Sequence, residues 1–169
     1  MARLGITGHR GLGDATTRLV DRGLRSLVAT YDPATLAGVT NLADGADQLF
    51  AQAVLDHGGR LEVIVPAQTY RDGLPTDCHL TYDRLHARAS RVLQLDHLES
   101  TSASHMAASE AMLETIDELL AVWDGKPARG YGGTADVVRA ARDRSIPVHV
   151  VWPAGATRDL GQPELPGIS

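Results

Sequence analysis

The chain has 169 residues, a formal net charge of −5, one cysteine and 4% aromatic residues. A chain of this length forms one domain and can bury roughly 70% of its unfolded surface without disulfides or a structural metal. The lone Cys78 excludes an internal disulfide, the start lacks a signal-peptide core, and no apolar run approaches the ~20 residues of a membrane span. We therefore expect a cytoplasmic protein with no membrane attachment, and the acidic balance argues against nucleic acid as a partner.

Strand-like and helix-like stretches alternate along the chain, which is typical of a mostly parallel sheet with crossover helices. The predicted strands are residues 3–7, 37–42, 60–65, 91–95, 119–123 and 147–152. Apolar residues at helical spacing predict helices over 19–31, 46–54 and 104–118, and a last one that ends at Arg144. The fold class is therefore α/β, a single-domain, doubly wound sheet of about six strands with helices on both faces.

Two further segments lack a periodic apolar face. Residues 66–77 are predicted to form a surface loop over the open end of the sheet, where a lid would lie. Residues 154–169 are rich in Gly, Pro and polar groups. We expect a domain over residues 1–153 and a loosely ordered tail over 154–169.

The first strand runs into a glycine-containing turn. Its predicted ligand-binding residues are Thr7, Gly8, His9, Arg10 and Gly11. Glycines let backbone N–H groups approach a ligand closely, and an arginine guanidinium is a planar partner for phosphate. His9 either contacts the ligand or only closes the turn, and the sequence leaves both open.

A second turn, Gly130-Tyr131-Gly132-Gly133-Thr134, follows the fifth predicted strand and leads directly into a helix. The positive end of a helix dipole and close backbone amides together suit an anion such as phosphate. The alternative is a tight turn with Thr134 as a helix cap, although two consecutive glycines exceed what a cap requires. We predict ligand binding by Gly130, Gly132, Gly133 and Thr134, in one electropositive pocket shared with the first turn.

Ligands of open parallel sheets bind beyond the carboxyl ends of the strands. That rule adds Asp44 and Gly45 after the second strand, and Asp124 and Gly125 after the fifth, to the predicted binding residues. Asp44 either caps the second helix or accepts from ribose or base groups. Asp124 binds ligand hydroxyls, positions water or braces the glycine-rich turn.

Residues 6–10, 43–47, 122–125 and 130–134 together resemble the SLOG superfamily. This superfamily comprises Rossmann-like domains related to the LOG phosphoribohydrolases and to DNA-processing protein A. The resemblance covers about residues 3–152. It implies a Rossmann-like domain that binds a nucleotide or a nucleotide derivative, such as a nucleoside phosphate or an ADP-ribose-like molecule, often as a homodimer.

The catalytic motif of the LOG enzymes is only partly present. Those enzymes carry a glutamate three residues after the threonine of the glycine turn, and Val137 stands at that position here. Asp136 lies one residue earlier, about 100° away around a helix. The resemblance therefore supports ligand binding better than this type of hydrolysis.

Three functions follow from these observations. The first is binding or sensing of a nucleotide or nucleotide derivative. The second is hydrolysis of the N-glycosidic bond of nucleoside monophosphates, for which Asp124, Asp44 and Asp136 are the catalytic candidates. The third is a carrier of a phosphate-bearing cofactor. No cofactor beyond the nucleotide ligand is expected, and no metal site is assigned.

Overall fold

The structure is a computed structural model that describes residues 2–158. Its strands are β1 (Ala2–Gly8), β2 (Leu36–Thr40), β3 (Arg60–Val65), β4 (Arg91–Gln94), β5 (Glu118–Val122) and β6 (Val148–Val150). Its α-helices are α1 (Asp14–Val28), α2 (Ala46–His57), α3 (His79–Ala87), α4 (Ser102–Leu113) and α5 (Thr134–Asp143). A 3-10 turn, Thr76–Cys78, precedes α3.

The six strands form one parallel sheet in the order β4-β3-β2-β1-β5-β6. The chain runs outward from β1 to β4 on one side and returns to the other side of β1 with β5. The strand order therefore reverses between β1 and β5, and a crevice at such a reversal is where open α/β sheets bind ligands. His9 N–H donates to Val122 O at 3.1 Å, which continues this pairing beyond the end of β1.

Helices cover both faces of the sheet. On one face, α1 and α2 pack around Leu4, Ile6 and Phe50, which are fully buried. On the other face, α4 and α5 pack around Met112 and Leu119. This arrangement confirms the predicted doubly wound α/β fold.

The segment 66–77 lies over the open end of the sheet and is anchored there. Tyr70 and Leu74 are buried against β3 and α3. Gln68 N–H donates to His97 O at 2.9 Å, in the loop that follows β4. The loop expected from its lack of periodicity thus includes two residues of the core.

The predicted helix over 104–118 ends earlier, at Leu113, because residues 114–117 form the turn that leads into β5. Of the predicted tail, residues 154–158 contact the domain through Thr157, which exchanges two hydrogen bonds with Thr16 at 3.0 and 3.1 Å. Residues 159–169 lie outside the described residues. Within residues 2–158, no helix combines the length and the apolar character needed to cross a membrane.

Candidate functional site

One cavity of about 240 Å³, here called the main cavity, lies at the carboxyl ends of β1, β2, β3 and β5. Both predicted turns line it. The predicted binding residues in its wall are Thr7, Gly8, His9, Arg10, Gly132, Gly133 and Thr134. The two turns are therefore neighbours, as the sequence predicts.

His9 joins the first turn to the loop that follows β5. Its side chain is buried, with Nε2 at 3.1 Å from the Asp124 amide nitrogen and at 3.2 Å from Asp124 Oδ1. Nδ1 lies 3.5 Å from Thr134 Oγ1, and the Trp152 ring meets the imidazole edge-on at 5.5 Å. The contacts on both ring nitrogens support the turn-closing role of His9, although the residue also forms part of the cavity wall.

Asp44 holds the first turn from the side of β2. Its Oδ1 accepts from Arg10 Nε at 2.7 Å, and its Oδ2 accepts from the Gly11 amide at 3.2 Å. The Asp44 side chain is 7% exposed, whereas that of Arg10 is 45% exposed. The guanidinium therefore sits at the rim of the main cavity with a carboxylate beside it.

Gly45 allows the loop after β2 to approach the first turn. Its φ is +84°, and a Cβ there would lie 2.7 Å from His9 O. The Ala46 amide donates to the same oxygen at 3.3 Å. A glycine is required at this position by backbone packing, and Gly45 is not part of the cavity wall.

The glycine-rich turn is closed by its own helix. The Gly132 amide donates to Asp136 Oδ2 at 2.9 Å, and the Gly133 amide donates to Gly130 O at 3.2 Å. The first helical residue, Thr134, is buried at the cavity wall. The positive end of α5 therefore faces the main cavity, but the amides of Gly11 and Gly132 donate to carboxylates of the chain itself and do not point at a ligand.

The predicted catalytic carboxylates, Asp44, Asp124 and Asp136, do not line the main cavity. Asp44 and Asp136 are turned toward the two loops that they hold. Asp124 lies in the wall of a neighbouring cavity, here called the second cavity. Gly11, Gly125 and Gly130 also lie outside the wall of the main cavity. The sequence predicted that all these residues surround one ligand. In the structure, the carboxylates of Asp44 and Asp136 instead accept hydrogen bonds from the two turns and hold their shape.

Asp124 is held as a carboxylate by its surroundings. Burial alone would raise its pKa, but the Lys126 amide at 3.0 Å, His9 and the more distant Arg158 keep the pKa below its usual value. Arg158 Nη1 lies 3.7 Å from Asp124 Oδ2. The sequence left three roles open for Asp124: binding ligand hydroxyls, positioning water or bracing the glycine-rich turn. These contacts support the bracing role.

Asp47 is a wall residue that sequence reasoning missed. It lies in the first turn of α2, 5% exposed, and its Oδ2 accepts from Thr40 Oγ1 at 3.1 Å and from the Asn41 amide at 3.2 Å. Burial raises the pKa of Asp47 to about 7, despite those hydrogen bonds. In the sequence it resembles an ordinary acidic residue near a helix start, so only its burial identifies it as chemically unusual.

Tyr70 and His105 form the opposite wall, with ring centroids 5.5 Å apart in an edge-to-face arrangement. His105 Nε2 lies 2.7 Å from Ser100 Oγ, and burial followed by the charge of Arg10 lowers the pKa of His105. Tyr70 had no sequence signal because segment 66–77 lacks periodicity. Helical spacing placed His105 on the apolar side of the predicted helix but did not indicate a place in the cavity wall.

The sequence matches no protein-family model, and it matches no curated protein significantly. Its structure is similar to DNA processing protein A from Streptococcus pneumoniae (TM-score 0.65, 15% identity, 89% of this chain and 50% of that chain). It is also similar to DNA processing protein A from Helicobacter pylori (TM-score 0.66, 16% identity, 92% of this chain and 68% of that chain). A third similar structure is the molybdenum cofactor binding protein from Rippkaea orientalis (TM-score 0.56, 15% identity, 88% of this chain and 75% of that chain). The chain thus spans only half the length of the Streptococcus protein.

The expectation that nucleic acid is unlikely as a partner, which was drawn from the acidic net charge, is wrong. The Helicobacter pylori protein, which has this fold, is described by its single-stranded DNA binding mode. Net charge is an average over the whole surface and does not exclude a local basic cleft. The homodimer implied by the resemblance stays a prediction.

At this level of identity the three structures establish the fold. They show that the chain has the Rossmann-like α/β fold that the resemblance implies.

Proposed function

We propose that this protein binds or senses a nucleotide or nucleotide derivative in the main cavity. The observation that carries the proposal is the meeting of two glycine-containing turns at the point where the strand order reverses. The amino-terminal end of α5 faces the same space, and oriented helix dipoles favour an anion there.

Each wall of the main cavity suits a different part of a nucleotide. Arg10 and the start of α5 offer a cation and a helix dipole to a phosphate group. Asn41 and Asp47 offer polar atoms to ribose hydroxyls. Tyr70 and His105 present aromatic rings, which are suitable neighbours for a planar base.

Thermal unfolding with the four nucleoside monophosphates and a short single-stranded oligonucleotide tests the proposal. A ligand at 100 times its Kd adds about 2.7 kcal/mol, which raises the Tm of a domain of this size by roughly 5–11 °C. Arg10→Ala should reduce that shift. Arg22→Ala, which changes an exposed arginine on α1 away from the cavity, should leave it unchanged.

A shift with mononucleotides that depends on Arg10 supports the proposal. A shift with the oligonucleotide alone would replace it with strand binding, and no shift with any of these probes would refute it.

The carrier alternative rests on the fold shared with the Rippkaea protein and also predicts binding without turnover.

Hydrolysis of the N-glycosidic bond is the second candidate, and it is favoured by one observation. Asp47 lies in the wall of the main cavity with a pKa of about 7, so its carboxyl is able to hold or release a proton near neutral pH. Free base released from a nucleoside monophosphate by the wild-type protein, and not by Asp47→Asn, would support hydrolysis. Binding with no release of base would leave the sensing function.

A further inference from the structure

The wall of the main cavity contains polar side-chain atoms that have no partner in the protein. Thr7 and Ser109 line the cavity and are only 9% and 8% exposed, yet within residues 2–158 neither hydroxyl makes a hydrogen bond. Asn41, also in the wall, uses only the nitrogen of its side-chain amide. No side-chain nitrogen or oxygen in that part of the chain is both fully buried and unpartnered, so these atoms are open to the cavity.

These three side chains lie close together, at the carboxyl ends of β1 and β2 and under α4. The register of the two strands pairs Gly5 with Val39, so Thr7 and Asn41 follow at matching positions of adjacent strands. A Cβ at Gly5 would lie 3.0 Å from a methionine sulfur of α4, and Thr7, two residues further along β1, projects toward the same face. Ser109 belongs to α4 itself.

Asn41 is fixed in one orientation. Its side-chain nitrogen donates to Ile64 O at 2.9 Å, and its backbone amide donates to Asp47 Oδ2 at 3.2 Å. The side-chain oxygen, Oδ1, is therefore the atom that Asn41 offers to the cavity. An amide oxygen only accepts hydrogen bonds, whereas a serine or threonine hydroxyl both donates and accepts. The three residues thus combine one fixed acceptor with two adaptable hydroxyls.

This combination suits the diol of a ribose. The 2′- and 3′-hydroxyls are neighbours on the sugar ring, and each of them donates and accepts a hydrogen bond. The three side chains carry no charge, so they match neutral hydroxyls better than a phosphate group. The cation and the helix dipole that suit a phosphate are provided separately, by Arg10 and by the start of α5.

We propose that Thr7, Asn41 and Ser109 bind the 2′- and 3′-hydroxyls of a ribose, so that the main cavity selects ribonucleotides over 2′-deoxyribonucleotides. The inference rests on the proposed function, since the phosphate of the same ligand lies at Arg10 and the start of α5. A deoxyribose lacks one of the two hydroxyls. It therefore leaves a polar atom of the wall unpaired after the ligand has displaced water, and such a loss lowers affinity.

Calorimetric titration with the monophosphates of adenosine, guanosine, cytidine and uridine and with their 2′-deoxy counterparts tests this selectivity. In the wild-type protein at least one ribonucleotide should bind about 10-fold more tightly than its deoxy counterpart. In the double variant Thr7→Val/Ser109→Ala the preference should fall below about 3-fold. Ser26→Ala/Thr30→Val makes the same two exchanges at exposed positions in and after α1 and should keep the full preference.

Two further measurements separate the sugar contacts from the phosphate contacts and from the fold. Arg10→Ala should weaken both members of a pair by the same factor, because both carry the phosphate. Thr7→Val/Ser109→Ala removes hydroxyls that have no protein partner, so the Tm of the ligand-free variant should stay within about 2 °C of the wild-type value. A larger fall would show that these hydroxyls are paired inside the protein, which contradicts the proposal.

Two binding results would overturn the ribose selectivity while nucleotide binding stands. One is equal or tighter binding of the deoxy member of every pair, and the other is a preference that survives in full in Thr7→Val/Ser109→Ala. If no nucleotide of either kind binds the wild-type protein, the proposed function fails and the selectivity fails with it.

Discussion

The two glycine-containing turns reach the same cavity by different means. At the first turn, the carboxylate that holds the Gly11 amide comes from Asp44, 33 residues along the chain and after another strand. At the second turn, the carboxylate that holds the Gly132 amide comes from Asp136, four residues along and inside the helix that follows. The first turn therefore depends on tertiary structure, whereas the second is locally closed.

This difference separates the residues that hold the loops in place from those expected to recognise a ligand. Asp44 and Gly45 bind the exits of β1 and β2 together, so changes there should affect the stability of the whole domain. Asp136 closes one loop, so changes there should affect the stability of the domain less. Effects on ligand binding should instead concentrate at the side chains and helix ends that face the cavity.

The largest effect is expected from Gly45→Ala. The new Cβ would lie 2.7 Å from His9 O at a φ of +84°, so a backbone clash adds to conformational strain. We expect a loss of about 3–4 kcal/mol in the free energy of unfolding, measured by urea denaturation. Gly130→Ala is the control, because a Cβ there has open space and no positive φ. Equal losses in the two variants would contradict the close approach of the β1 and β2 exits.

Asp44→Ala should cost less than Gly45→Ala and more than Asp136→Ala. Asp44 accepts from Arg10 and from the Gly11 amide while nearly buried, and hydrogen bonds to charged groups contribute about 1.5–3 kcal/mol. Asp136, with a side chain 22% exposed, should cost about 0.5–1.5 kcal/mol. Thermal unfolding of both variants measures the difference. The reverse order would show that the second turn, and not the first, holds the domain together.

The stability effect of Asp47 should depend on pH. The pKa of Asp47 is about 7 in the folded state and 3.8 in the unfolded state. Between these two values the carboxyl is protonated in the folded state and ionised in the unfolded state. The free energy of unfolding of the wild-type protein therefore falls as pH rises from 3.8 to about 7. Asp47→Asn lacks this loss and should become more stable relative to wild type from pH 4 to pH 7. The size of the change is set by the difference between the two pKa values, at about 1.4 kcal/mol for each unit.

Asp56→Asn gives the opposite sign. The hydrogen bond with Arg25 lowers the pKa of Asp56, so wild-type stability rises as pH rises from the lowered pKa to the unfolded value of 3.8 and is constant above it. Asp56→Asn should therefore lose stability relative to wild type over that window. Unfolding curves recorded from about pH 2 to pH 8 compare the two variants. A pH-independent difference for Asp47→Asn would show that the carboxyl is not buried as described.

The fold and the place of the site were predictable from the sequence, because both follow from local signals. Alternating periodicity located six parallel strands, and glycines after β1 and β5 marked the two turns at the reversal point. The roles of the carboxylates were not predictable. Asp44, Asp47 and Asp136 are each an aspartate near a helix start, and only the packed structure shows that two hold loops while the third is buried in the cavity wall.

Binding observed residue by residue tests the central claim most directly. In an amide ¹H–¹⁵N NMR titration with nucleoside monophosphates, the resonances of residues 8–10 and of residues 132–134 should shift together and give one common Kd. Both groups line one cavity, so one ligand must perturb both. Shifts confined to one of the two turns, or a separate Kd for each, would contradict a single nucleotide site between them.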